Sequence, residues 1–285
     1  LRTKTLRVKK KLDPHTVEIL EDVDSLTREH GLQYLVIGAL ARELVIDHVL
    51  QMGAKATRDV DFAIAVQNWD EFSSIKEALL ATARYSAPRH HPHRLNHIAS
   101  NWQVDIIPFD GVQNAEGTIA WPPEMAIVMN VTGLTDALRS ALRIEVADGL
   151  EIPVASVPAF FILKIFAWND RRRETSKDAD DLWRILAQYA DIGNQDRLYD
   201  QFTEVLVAKD YDIKRAGAYL LGFDIASIAA SETMLQLQRL LAFAGTRRLA
   251  SDIAAARRSD TSALELSEAL LADLVDGMQH QSQRT

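Results

Sequence analysis

Three carboxylates carry the first chemical signal. Asp59 and Asp61 lie two apart in DVDFAIAV, an alternating stretch that reads as a partly buried strand, on which residues i and i+2 leave the same face. Asp105 stands in WQVDIIPF, a strand whose other members are mostly apolar. A lone acid there must be paired, hydrated or metal-bound, because an isolated buried carboxylate is very costly. If the two strands are neighbours, three carboxylates meet at one spot and repel one another unless a cation is present. Hard oxygen ligands suit Mg²⁺, and a pair of such ions can activate an attacking oxygen and stabilise the leaving one in a phosphoryl displacement. A D-x-D pair alone is a weak signal, since solvated strand ends carry it too.

The elements that must position these groups can be read from the pattern. Tyr34 to Ile37 is a short apolar strand that runs through Gly38 directly into a helix, expected over Ala39 to Leu50. Glycine lets the backbone approach a phosphate, and a helix N-terminus offers free N–H groups and a favourable dipole. Arg42 follows Gly38 by one helical turn and is within reach of such a phosphate. Arg58 precedes the D-x-D and points to the opposite face from Asp59; both arginines also suit structural ion pairs. Asp13 to His30 reads as a helix opened by Pro14, and Asp70 to Ala83 as another. Arg94 to Ile98 and Gln103 to Phe109 read as paired strands joined by Ala99-Ser100-Asn101, and Arg143 to Val146 with Glu151 to Val154 as a second hairpin.

All eight prolines lie at or before Pro158. Proline breaks helix interiors, so the proline-free remainder, with Leu182, Ile185, Leu186 and Tyr189 at helical spacing, reads as helical. The expected organisation is α+β: a mixed sheet flanked by helices over 1–155, then an all-helical domain over 156–285.

The layout resembles the nucleotidyltransferases of the DNA polymerase β-like superfamily. Their signature is an apolar strand, Gly-Gly or Gly-Ser opening a helix, D-x-[DE], and a third acid on a later strand. The corresponding residues here are Val36-Ile37-Gly38-Ala39, Asp59-Val60-Asp61 and Asp105. The likeness extends into FFILKIFAWNDRRRETSKDADDLWRIL, where it is most similar to the AbiEii-type nucleotidyltransferases. These carry a lysine on a helix after the sheet, then R…[RK]D-x-x-D-L, matched by Lys164, Arg171, Lys177, Asp178, Asp181 and Leu182. Two departures stand out: Ala39 replaces the usual Gly or Ser, and 19 residues separate Ala39 from Asp59, a gap that a longer helix and the loop Gln51 to Lys55 would absorb.

The resemblance implies an enzyme that transfers NMP from an NTP donor to an acceptor hydroxyl, on tRNA, a protein or a small molecule, with Mg²⁺ or Mn²⁺. It implies that Asp59, Asp61 and Asp105 hold the metal, with Asp105 assisting deprotonation. Gly38, the Ala39 amide, Arg42, Lys164, Arg171, Lys177 and Asp178 would serve the nucleotide. It also implies a toxin role with a cognate antitoxin. Without the resemblance, Lys164 reads first as a lysine snorkelling from an apolar helix. Asp178 and Asp181 share a helix face and read either as orienting Lys164 and Arg171 or as a salt-bridged turn.

Two rival readings remain open. Ala39 keeps alive a binding module that holds a nucleotide or a partner without turnover. The segment Arg89 to His97 holds four of the eight histidines, His90, His91, His93 and His97, which would suit a zinc hydrolase. It lacks H-E-x-x-H, so the alternative is a loop near the hairpin touching substrate through Arg89 and Arg94. The 285 residues carry a formal charge of −8 and no cysteine. That argues against a generic nucleic-acid coat and excludes disulfides, thiolate zinc sites and cysteine nucleophiles. The run Arg171-Arg-Arg173 with Lys177 could still face RNA. No apolar run approaches the length of a membrane span and the basic N-terminus lacks an apolar signal core, so a cytoplasmic location is expected.

Overall fold

The computed structural model describes residues 6–7, 11–47, 58–257 and 262–282. The loop expected at Gln51 to Lys55 and most of the basic N-terminal segment lie outside the described residues. The chain divides into two compact units, Leu1–Ser156 and Val157–Thr285.

The first unit is built on a mixed sheet. Its strands are β1 (Leu6–Arg7), β2 (Gln33–Ile37), β3 (Asp59–Val66), β4 (Tyr85–Ser86), β5 (Arg94–His97), β6 (Trp102–Asp110), β9 (Leu142–Ala147) and β10 (Leu150–Val154). Among the described residues they line up as β1-β9-β10-β2-β3-β6-β5-β4, while β7 (Thr118–Ala120) and β8 (Val128–Asn130) pair separately. The two long strands β3 and β6 sit side by side and parallel, in register from Asp59 opposite Gln103 to Val66 opposite Asp110. They occupy the sheet centre because their sequences allow it: Val60, Phe62, Ala63, Ile64, Val66, Val104 and Ile106 are all buried. A strand covered on both faces loses strict alternation and becomes apolar throughout.

Helix α1 (Pro14–Glu29) begins with Pro14 behind an Asp13 cap, whose carboxylate accepts from the His15 amide at 2.8 Å. Its buried stripe of Ile19, Leu20 and Val23 faces the sheet. The helix expected from Ala39 takes a different course. Helix α2 spans only Gly38–Arg42 and then widens into a π-helical turn, Glu43–Asp47. Leu44, Val45, Ile46 and Asp47 are all buried in succession, so this turn presents no solvent face. Helix α3 (Trp69–Ala81) follows β3, and the short α4 (Leu134–Arg139) precedes β9.

The second unit is helical, with α5 (Val157–Arg171), α6 (Lys177–Gln188), α7 (Gln195–Gln201), α8 (Thr203–Ala208), α9 (Ile213–Ile228), α10 (Ser231–Leu240), α11 (Phe243–Ala256) and α12 (Ala263–Ser282). Helices α9 and α12 cross closely enough that side chains are excluded at the contact. A Cβ on Gly222 would lie 1.9 Å from the Leu274 carbonyl oxygen, and one on Gly277 would lie 2.0 Å from that of Tyr219. The α+β class, with a mixed sheet and a helical C-terminal region, agrees with the expectation from sequence. Among the described residues no helix is long and apolar enough to cross a membrane.

Candidate active site

Strand β2 ends at Ile37, which pairs with Asp61 of β3, and Asp61 in turn lies opposite Asp105 of β6. Register partners in adjacent strands point to the same face, so Asp61 and Asp105 stand side by side, with Asp59 two residues back on that face. Gly38 turns the chain here at φ +67°. A Cβ at this position would lie 1.8 Å from Asp61 Oδ2. The carboxylate therefore occupies the space that any other residue at position 38 would fill, and glycine is required for both backbone and space. Ala39 follows at partial exposure inside α2.

Asp105 is the acid that sequence reasoning says must be paired, hydrated or metal-bound, and the structure pairs it. Arg94 of β5 lies opposite it in the antiparallel register. Its guanidinium grips the carboxylate in a fork, Nε to Oδ1 and Nη2 to Oδ2, both at 2.7 Å. The Asp105 hydrogen bonds hold the Arg94 pKa above its ordinary value against burial, helped by the charges of Asp105, Asp59 and Asp61. Arg94 is thus a counter-charge for the acids; sequence reasoning places it at the start of a strand and near substrate, without assigning it to Asp105. The signal that finds it is the hairpin register: pairing His97 with Trp102 fixes Arg94 opposite Asp105. His93 Nε2 stands 3.9 Å from Asp105 Oδ2. Burial lowers the His93 pKa, although Asp105 opposes this.

Carboxylate oxygens are hard donors of the kind a divalent cation takes, and the Arg94 guanidinium here supplies the counter-charge at Asp105. Each Asp105 oxygen accepts one bond from Arg94 and keeps a second lone pair, so an ion bound there would share the carboxylate with the Arg94 charge. Arg42 turns to its own helix, where Nε lies 3.4 Å from Asp47 Oδ2. These residues are five apart, the spacing that shares a face in a π-helix rather than an α-helix.

The remaining candidates form a cluster within the helical unit. Lys164 of α5 bridges Asp178 at 2.9 Å and Asp181 at 2.8 Å, both on α6. Arg171 forks onto Asp178 with Nε–Oδ2 at 2.6 Å and Nη2–Oδ1 at 2.9 Å. Asp178 is only 1% exposed. Burial works against its charge, but the Arg171 hydrogen bonds and the Lys164 charge prevail and hold its carboxyl below the usual range. Asp178 and Asp181 thereby fix the heads of Lys164 and Arg171, while Lys177 is exposed at the start of α6.

His90 and His91 are exposed, the His91 and His93 rings stand 6.0 Å apart, and His93 neighbours Asp105. His97 is fully buried, three residues from Arg94 along β5 and so on the opposite face of the sheet.

Comparison with known proteins adds to this geometry. The family described as nucleotidyl transferase AbiEii toxin, of type IV toxin–antitoxin systems, matches residues 50–274. The match takes in Asp59, Asp61, Asp105, Lys164, Arg171, Lys177 and Asp178 and begins after Gly38. A search of curated proteins gives no match. Among solved structures, the antibiotic-resistance factor ANT(2'')-Ia is similar at 11% identity and TM-score 0.35, over 70% of this chain and 97% of that one. An antigenic nucleotidyltransferase-like protein from Paracoccidioides brasiliensis is similar at 14% identity and TM-score 0.39, over 73% and 95%. With most of its length matched, the chain belongs to the AbiEii family of toxin-type enzymes and is a nucleotidyltransferase.

Proposed function

We propose that the chain transfers a nucleoside monophosphate from an NTP to an acceptor hydroxyl, using Mg²⁺ or Mn²⁺ held by Asp59, Asp61 and Asp105. The observation that carries this reading is the wedge of Asp61 against Gly38, in register with Asp105. It keeps a bare stretch of backbone beside Asp61, the register partner of Asp105, as a polyphosphate chain with its counter-ions requires. The bound cation would supply charge stabilisation for the phosphoryl group in flight.

The chain's own groups do the rest. Gly38 and the Ala39 amide offer backbone N–H groups to the triphosphate, and glycine at 38 keeps side-chain bulk away from it. Asp105 takes the proton of the attacking hydroxyl at a carboxylate oxygen once the Arg94 fork opens. The acceptor oxygen bonds to the α-phosphorus, the bond to the β-phosphate oxygen breaks, and pyrophosphate leaves. Lys164 and Arg171, pinned by Asp178 and Asp181, serve as preset cations for phosphate charge, with Lys177 beside them; preset charge reorganises little during reaction. In the first unit, Arg42 would add a cation beside Gly38 by exchanging Asp47 for phosphate. The acceptor is an RNA such as tRNA, a protein or a small molecule, and the family's toxin–antitoxin setting supports an antitoxin partner.

The test supplies each NTP labelled at the α-phosphate, with Mg²⁺ or Mn²⁺ and cell extract. Label should pass to one class of acceptor. Asp59→Ala/Asp61→Ala should reduce transfer by at least about 10³-fold, since these ligands carry several kcal/mol of charge stabilisation. Saturable NTP binding with no transfer and no pyrophosphate release would instead identify a binding module.

A further inference from the structure

A second cluster lies on the opposite face of the sheet. His15 and Glu18 are three apart in the first turns of α1, so they share a helix face, and His97 reaches that face from β5. One ligand atom from each residue lies within 4.8 Å of the other two. We propose that His15, Glu18 and His97 form a metal site, separate from the carboxylates of β3 and β6, for a borderline transition-metal dication of the Zn²⁺ class.

The strongest observation is His97. Its side chain is completely buried, and its Nε2 is a buried atom with no hydrogen-bond partner among the described residues. Leaving such an atom unpaired is costly, and this one points at Glu18 Oε2 from 3.4 Å without hydrogen-bond geometry. The other ring nitrogen is engaged, with Nδ1 2.8 Å from Ser100 Oγ. That division is what a metal-binding imidazole shows: one nitrogen oriented by an outer partner, the other presented to the ion. Burial also lowers the His97 pKa, although Glu18 opposes it, and a neutral imidazole is the form that ligates.

The distances suit an ion better than an ion pair. His15 Nδ1 stands 3.6 Å from Glu18 Oε2, again too far for a hydrogen bond. In a tetrahedral site with bonds of ~2.0–2.2 Å, ligand atoms sit roughly 3.3–3.6 Å apart, which covers both contacts to Glu18. Two imidazoles and one carboxylate favour zinc-like ions over Mg²⁺. His15 and Glu18 are partly exposed, at 42% and 39%, so the ion has an entry path and water can fill the fourth position. The ion would clamp the N-terminus of α1, already fixed by its Asp13 cap, to the β4–β5 edge of the sheet.

The test uses the full chain carrying Asp59→Ala/Asp61→Ala, so that the other cluster does not compete. After chelation, Co²⁺ is added and its visible spectrum recorded; Zn²⁺ is then titrated in and thermal unfolding followed. A tetrahedral Co²⁺ spectrum displaced by one equivalent of Zn²⁺, with a rise in Tm, is expected. Changing an outer partner of a metal site costs about 10–100-fold in affinity. Ser100→Ala should therefore weaken Zn²⁺ binding about tenfold, and the ligand changes His15→Ala and Glu18→Gln by about 100-fold or more. These two side chains are partly exposed, so their loss spares the fold, whereas His97→Ala opens a buried cavity. Absence of Co²⁺ and Zn²⁺ uptake, or uptake that is unchanged in His15→Ala and Glu18→Gln, overturns the proposal. The readout is metal uptake rather than label transfer, so the outcome is independent of the nucleotidyl-transfer reading.

Discussion

Asp61 and Gly38 illustrate how one contact can dictate two residues at once. The carboxylate fills the volume of the missing Cβ, and the backbone at 38 is left-handed. Gly38→Ala should cost about 1–2 kcal/mol for the backbone alone, and more for the displaced acid. Chemical denaturation should therefore show lower stability, and labelled-NTP assays a deeper loss of transfer than stability accounts for. Arg94 makes the opposite case, a residue that holds the site closed. Arg94→Gln removes a forked, charge-assisted pair, the stronger kind of hydrogen bond. Mn²⁺ titration by electron paramagnetic resonance should then show about tenfold tighter binding at the carboxylates, the equivalent of 1.4 kcal/mol. Unchanged Mn²⁺ affinity would mean that Arg94 does not compete with the ion for Asp105.

At the scale of elements, legibility depends on length and period. DVDFAIAV, the β5–β6 hairpin and the β9–β10 hairpin are readable because alternation and turn residues agree. Strand β4, the β7–β8 pair and helix α4 are two to six residues long and carry no period, so nothing local announces them; tertiary pairing makes them. The carboxylates can be named from sequence, but that β3 and β6 are neighbours is a long-range fact. The α5–α6 pair gives a prediction with a sign. Asp178 has a carboxyl held below its usual range in the fold, so the stability it contributes is complete above the ordinary carboxylate pKa. It is lost as pH falls through that range to the lower folded value. Asp178→Asn should flatten the acid limb of the stability–pH curve and cost about 1–3 kcal/mol at neutral pH, because it removes the buried carboxylate that accepts from both Lys164 and Arg171.

At the scale of the whole molecule, Lys164 tests the role proposed for the cations of the second unit. Lys164→Met should lower the transfer rate about 100-fold while leaving Mn²⁺ affinity at Asp59, Asp61 and Asp105 unchanged, since those ligands all belong to the first unit. A parallel loss of metal affinity would show that the substitution disturbs the fold instead. The π-helical turn at Glu43–Asp47 bears on chain length as well as shape. A π-turn accommodates one more residue than the α-helical path it interrupts, so the run from Gly38 towards Asp59 is locally one residue longer than regular geometry needs. Deleting one residue within 43–47 should let the helix close up as α and break the Arg42–Asp47 pair. In an alignment of relatives, this is where a single-residue gap belongs, rather than in the strands on either side.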